Sequence, residues 1–160
     1  MRIPTLIPVA ALLLAAAAAT AACGESPQQK AARDQARRTS CVAAELALTA
    51  KERLARLDTQ MVATQNSPMH QVLQASHLFA SSYHTYAEAY SRSANLADSA
   101  AFAGSDEESS RLEQQAQAAR PPLPAPGTVQ ANAAGRFTTD MQNALANPDH
   151  PCNKREEDGG

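Results

Sequence analysis

The chain contains no tryptophan, and three phenylalanines with three tyrosines bring its aromatic share to only 4% of 160 residues. So few rings add to a general scarcity of large apolar groups, so packing alone is expected to give only modest stability. Isoleucine occurs only at Ile3 and Ile7, and four valines follow residue 22, which leaves little strand-forming material. Neither sign of charge dominates: 14 basic against 16 acidic residues give a formal charge of −2. That balance offers no electrostatic basis for gripping nucleic acid. The chain has no Gly-x-Ser-x-Gly elbow, no phosphate loop, no dinucleotide fingerprint, no His-Glu-x-x-His and no Cys-x-x-Cys-His. Its serines lie in polar helical stretches without an evident base and orienter, so a nucleophilic triad has no support. The expectation is a protein without catalysis, cofactor or resident metal.

Alanine is what the chain has in quantity, with 27 copies from Cys23 onward, against 17 Leu, Val and Phe together in the same span. Alanine is the best helix former and loses no side-chain entropy on folding, but it buries little area. The composition therefore predicts an all-α fold, an antiparallel bundle of three to four Ala-rich helices with a thin core.

The periodicity places those helices. From Pro27 to about Ala63 there is neither Gly nor Pro, and Lys30/Asp34, Asp34/Arg38 and Glu52/Arg56 stand four apart. Ala47, Ala50, Leu54, Leu57 and Met61 form one apolar stripe. Residues 23–40 are polar, a tether or the start of that helix. Asn66-Ser67-Pro68 is a turn, with Ser67 as N-cap and Pro68 in the first helical position. A second helix carries Met69, Val72, Ser76, Phe79, Tyr83, Tyr86, Tyr90, Ala94 and Ala97 on one face and closes at Gly104. Ser105-Asp106-Glu107-Glu108 opens a third, reaching about Ala119, whose only large apolar residue is Leu112. A proline-rich linker at 120–127 precedes a last helix capped by Thr128, with Val129, Ala133, Phe137, Met141 and Leu145 on its stripe, ending at Asn147-Pro148. The helical domain thus spans 41–152, and 153–160 form a polar, disordered tail.

The first residues carry a different message. Met1-Arg2-Ile3-Pro4-Thr5 is followed by an uncharged run from Leu6 to Ala22, centred on Leu12-Leu13-Leu14. A short basic start, an apolar middle and a small-residue end make residues 1–22 a signal peptide. Thr20-Ala21-Ala22-Cys23 resembles the lipobox of bacterial lipoprotein precursors, although Thr20 stands where an aliphatic residue is usual. The resemblance covers only this segment. It implies cleavage before Cys23, lipid on that cysteine, and a membrane-anchored protein of the cell envelope. Gly24 in place of an aspartate points, by the same resemblance, to the outer membrane and its periplasmic face. Ordinary cleavage near Ala21 or Ala22 is the alternative and leaves a soluble periplasmic or secreted protein.

If Cys23 is lipidated, Cys41 and Cys152 remain as one pair in an oxidising compartment, and an up-down-up-down bundle returns Cys152 toward Cys41. Two free thiols are the alternative. His150-Pro151-Cys152 resembles a soft-metal ligand pair only while that cysteine is unbridged. His70, His77 and His84 fall seven apart, hence ~10 Å between neighbours, too far for one ion. Tyr83, Tyr86, Tyr90 and His84 make a ligand or partner surface on the second helix, or else the tyrosines form its core. Lys30, Arg33, Arg37 and Arg38 form a basic cluster near Cys23, able to meet anionic headgroups or cell-wall polymers, or simply a solvated face. The function expected is a lipid-tethered structural or protein-interaction module, with envelope proteins as partners. A periplasmic bundle that binds a small ligand or metal is the second reading, and a hydrolase ranks behind both.

Overall fold

The computed structural model describes residues 26–154. Four helices follow in chain order, α1 (Pro27–Ala63), α2 (Met69–Ala101), α3 (Asp106–Ala119) and α4 (Val129–Ala146), and a 3-10 turn at Pro151–Asn153 ends the path. No strand occurs among the described residues, and the all-α bundle is as the composition requires. Residues 1–25, with the expected signal peptide and Cys23, and residues 155–160 lie outside the described residues.

Local chemistry sets the helix ends. Ser26 and Gln29 form a reciprocal capping box, with Ser26 Oγ accepting from the Gln29 N–H at 3.2 Å and Gln29 Oε1 accepting from the Ser26 N–H at 3.0 Å. The polar stretch after Pro27 is therefore continuous helix, leading into the apolar stripe without a break. Pro68 has helical angles (φ −54°, ψ −24°), and Ser67 Oγ takes the Met69 N–H at 3.2 Å, so the expected cap works just ahead of α2. Ser105 and Thr128 cap α3 and α4 through the N–H groups of Glu108 and Ala131. Gly127, at φ 78°, supplies the left-handed turn that redirects the chain from the proline-rich stretch into α4.

The core is small and centred on Phe137, which is 1% exposed. Val42 and Ala43 of α1, Ala87 and Ala94 of α2 and Met141 of α4 surround it. Tyr83, Tyr86 and Tyr90 meet the Phe137 ring edge-on or tilted, with centroids 5.8, 5.5 and 5.1 Å away. Three tyrosines at helical spacing thus clasp one ring and compensate for the small alanines around it.

α3 docks chiefly on α2, and does so through small residues. Ser93 Oγ donates to the Ala116 carbonyl at 2.7 Å, and Ser109 Oγ to the Ala100 carbonyl at 3.1 Å. Ala116 and Ala100 are buried there, so close approach substitutes for large apolar groups.

The apolar stripe of α2 is not buried along its full length. Between residues 51 and 79 no side chain is buried, and Met69 and Val72, expected on the core face, are 55% and 60% exposed. The reason is length: α1 has 37 residues and α2 has 33, while α4 has only 18 and packs against their middles. The α1–α2 hairpin therefore projects past the core as a two-helix arm. His77 Nε2 and Asp58 Oδ1, 2.7 Å apart, link its two helices.

Candidate functional site

Besides the projecting arm, two clefts and one covalent clasp stand out among the described residues. The first cleft, of about 410 Å³, opens where the arm leaves the bundle. Leu46, Ala50, Phe79 and Ala80 give it an apolar floor, and Arg53, Tyr83, Arg136 and Asp140 its polar edge. Tyr83 Oη donates to Asp140 Oδ2 at 3.0 Å, and Arg136 Nε lies 3.1 Å from Asp140 Oδ1. Burial raises the Tyr83 hydroxyl pKa far above the ordinary tyrosine value, and the hydrogen bond and charge of Asp140 add to the effect. Tyr83 is thus a fixed hydrogen-bond donor at neutral pH. Arg53 makes no ion pair among the described residues, and with Arg136 it leaves the rim one positive charge in excess.

Of the surface expected on α2, only Tyr83 reaches this cleft. Tyr86 and Tyr90 are half-buried against Phe137 and belong to the core, because α4 lays that ring directly over them. His84 is half-buried and lines neither cleft. His70 and His77 are equally separate, with His77 committed to Asp58.

The clasp is the Cys41–Cys152 disulfide, which joins α1 to the final turn across a Cα–Cα distance of 5.7 Å. Polar contacts hold the turn in place. Asn153 Nδ2 donates to the carbonyls of Ala144, Leu145 and Asn147, satisfying the C-terminal end of α4, so the ordered path continues past the bridge and into the segment expected to be tail. The Cys152 N–H donates to His150 Nδ1 at 3.3 Å. Glu45, His150 and Cys152 bring ligand-type atoms within 4.8 Å of one another. Their chemistry does not suit a metal: the sulfur is in a disulfide and holds no thiolate charge. His150 Nδ1 is occupied as an acceptor, so the neutral ring carries its proton on Nε2, which faces Glu45 Oε2 at 3.6 Å. This group is a polar bracket around the bridge.

The second cleft lies beside the clasp, with about 450 Å³ between the first turns of α1 and the residues around the bridge. Lys30, Arg37, Arg38 and Lys154 line it, with Asp34 as the one carboxylate among its walls. None of the four cations makes an ion pair among the described residues, so the expected helix pairs of Asp34 with Lys30 and Arg38 are not formed. Such exposed pairs contribute little, and solvation of each charge competes with them. Arg33, counted with the same basic cluster, turns away: its Nε donates to the Ala101 carbonyl at 2.6 Å and its guanidinium sits 5.1 Å from the Phe102 ring centre. It closes the end of α2.

The spacing along α1 showed the basic cluster but not which of its members converge, and Lys154 joins them because the disulfide and the contacts of Asn153 hold the final turn in place. Arg53 and Asp140 of the first cleft carry no motif at all; the Arg136/Asp140 spacing, four apart beside an apolar stripe, was the only signal for that edge. Compared with known proteins, the chain has no significant match to a family model, to a curated protein or to a solved structure.

Proposed function

We propose that this protein is an exported lipoprotein, held to a membrane of the cell envelope by lipid on Cys23, whose helical domain serves as a structural or protein-interaction module without catalysis. The observation that carries the interaction role is the projecting arm. Around its turn, Val62, Met69 and Val72 are 70%, 55% and 60% exposed, an unusual concentration of apolar side chains for so apolar-poor a chain. The bridge between Cys41 and Cys152 supports the anchor, since it uses two of the three cysteines and leaves Cys23, at the end of its small-residue run, as the odd one.

The test replaces Val62, Met69 and Val72 together by lysine in the intact protein. Helicity and Tm stay close to the parent, because no core residue changes, while cross-links to envelope proteins formed by the parent in cells disappear. Cross-links that persist at parental yield contradict the interaction role.

The small-ligand reading has its own observation, the apolar cleft rimmed by Arg53, Tyr83, Arg136 and Asp140. Its excess positive charge suits an organic anion with an apolar body. Decanoate and decanol separate the possibilities: saturable binding of decanoate that weakens in Arg53→Gln supports a ligand site, and equal weak binding of both contradicts it.

A further inference from the structure

We propose that the second cleft is a binding site for the phosphodiester headgroup of an anionic phospholipid, and that it holds the anchor-proximal flank of α1 against the membrane to which Cys23 is tethered. The orientation rests on the anchor proposed above; the headgroup site stands on the cleft itself. Lys30, Arg37, Arg38 and Lys154 come from two segments and converge on one space with a single carboxylate, Asp34. Positions 30, 34, 37, 38 and 41 share one side of α1, and the disulfide at Cys41 brings Lys154 to that same side. Two guanidinium groups and two ammonium groups around one cleft match a phosphate by charge and by donor geometry.

Position argues for a lipid source over a free one. Only two residues separate Cys23 from Ser26, where the α1 cap begins, so the cap lies within ~11 Å of the lipid-bearing residue along even a fully extended chain. Lys30 follows one turn later and Arg38 lies ~18 Å from the cap along the helix. The cleft therefore flanks the part of α1 nearest the anchor, and laying that flank on an anionic surface brings its basic side chains within a Debye length of the charge. A tether alone would let the domain tumble; four charges on one side select the face turned to the bilayer.

The acidic residues Glu156, Glu157 and Asp158 follow Lys154 closely in sequence and are the rival occupant. The experiment is flotation of chain 23–160 carrying Cys23→Ser, which contains every described element and no lipid, with vesicles of phosphatidylcholine alone or of phosphatidylcholine rich in phosphatidylglycerol. The expected result is binding to the phosphatidylglycerol vesicles only, lost at high salt. It weakens about fivefold for each of Lys30→Gln, Arg37→Gln, Arg38→Gln and Lys154→Gln. Arg92→Gln, the same charge change beside Glu88 and away from the cleft, leaves binding unchanged. Inorganic phosphate at vesicle-equivalent concentration does not compete. Equal weakening by Arg92→Gln overturns the site in favour of net charge, and full competition by phosphate overturns the lipid source. Binding that emerges only when residues 155–160 are deleted overturns it in favour of the chain's own tail. Because the chain tested has no lipid, a failed anchor at Cys23 leaves these outcomes readable, and failure of the cleft leaves the anchor standing.

Discussion

Tyr83 donates a hydrogen bond to Asp140 across the α2–α4 packing, and the same carboxylate holds Arg136 one turn earlier on its own helix. A core aromatic residue is thereby pinned to the rim of the first cleft. Its folded pKa is raised above the unfolded value, so this contribution to stability is complete below about pH 10 and is lost as pH rises toward the folded pKa. Tyr83→Phe is expected to lower Tm at neutral pH, by roughly 1 kcal/mol of stability. It also removes the tyrosinate step that lies above the ordinary range in an ultraviolet titration. An unchanged titration curve apart from one ordinary step contradicts the assignment.

Phe137 is the keystone of a core otherwise made of small groups. Phe137→Ala removes the ring that Tyr83, Tyr86 and Tyr90 share and is expected to cost about 3–5 kcal/mol. Domains of this size are stable by about 5–15 kcal/mol in all. Thermal unfolding by circular dichroism should show a large drop in Tm or no cooperative transition. A small drop contradicts a core centred on this residue.

The Cys41–Cys152 bridge closes a loop over a sequence separation of 111. Replacing both cysteines by serine is expected to cost about 2–4 kcal/mol, mainly by freeing the unfolded chain. Reductant should lower the parent's Tm by the same amount and leave the double variant unchanged. Equal sensitivity of both proteins to reductant contradicts the bridge.

Ser93 is a buried polar side chain whose hydroxyl holds the Ala116 carbonyl. Ser93→Ala leaves that carbonyl unpaired, at about 1–3 kcal/mol. Since α3 packs chiefly on α2, amide exchange should accelerate in α3 and stay near parental rates in α4. Uniform acceleration contradicts the separate docking.

Much of this architecture was legible in the chain because its determinants are local. Ser105 and Thr128 cap the helices they were expected to cap, and the proline-rich stretch separates α3 from α4. The cysteines meet as the topology of an antiparallel bundle requires. Relations between elements were less legible. The docking of α3 rests on Ser93 and Ala116, small residues whose role appears only when two backbones approach. The exposure of Met69 and Val72 follows from the short length of α4, which no pattern within α2 encodes. Tyr86 and Tyr90 fit either a surface or, as such stripes more often do, a core, and Phe137 packed over them makes them core. Lys154 enters the basic cleft through a bond formed far away in sequence, and Arg33 leaves the basic cluster for the end of α2, neither of which spacing reveals.

The envelope role proposed for this protein rests on Cys23, the cysteine that precedes the helical domain. The direct measurement is mass spectrometry of the N-terminal peptide from protein extracted from cell membranes, alongside fractionation of Cys23→Ser. The account predicts a chain that begins at Cys23 with diacylglyceryl on its sulfur, and a Cys23→Ser protein that leaves the membrane fraction. A chain with unmodified Cys23 in the soluble fraction, or membrane association that survives Cys23→Ser without labelling, would contradict it.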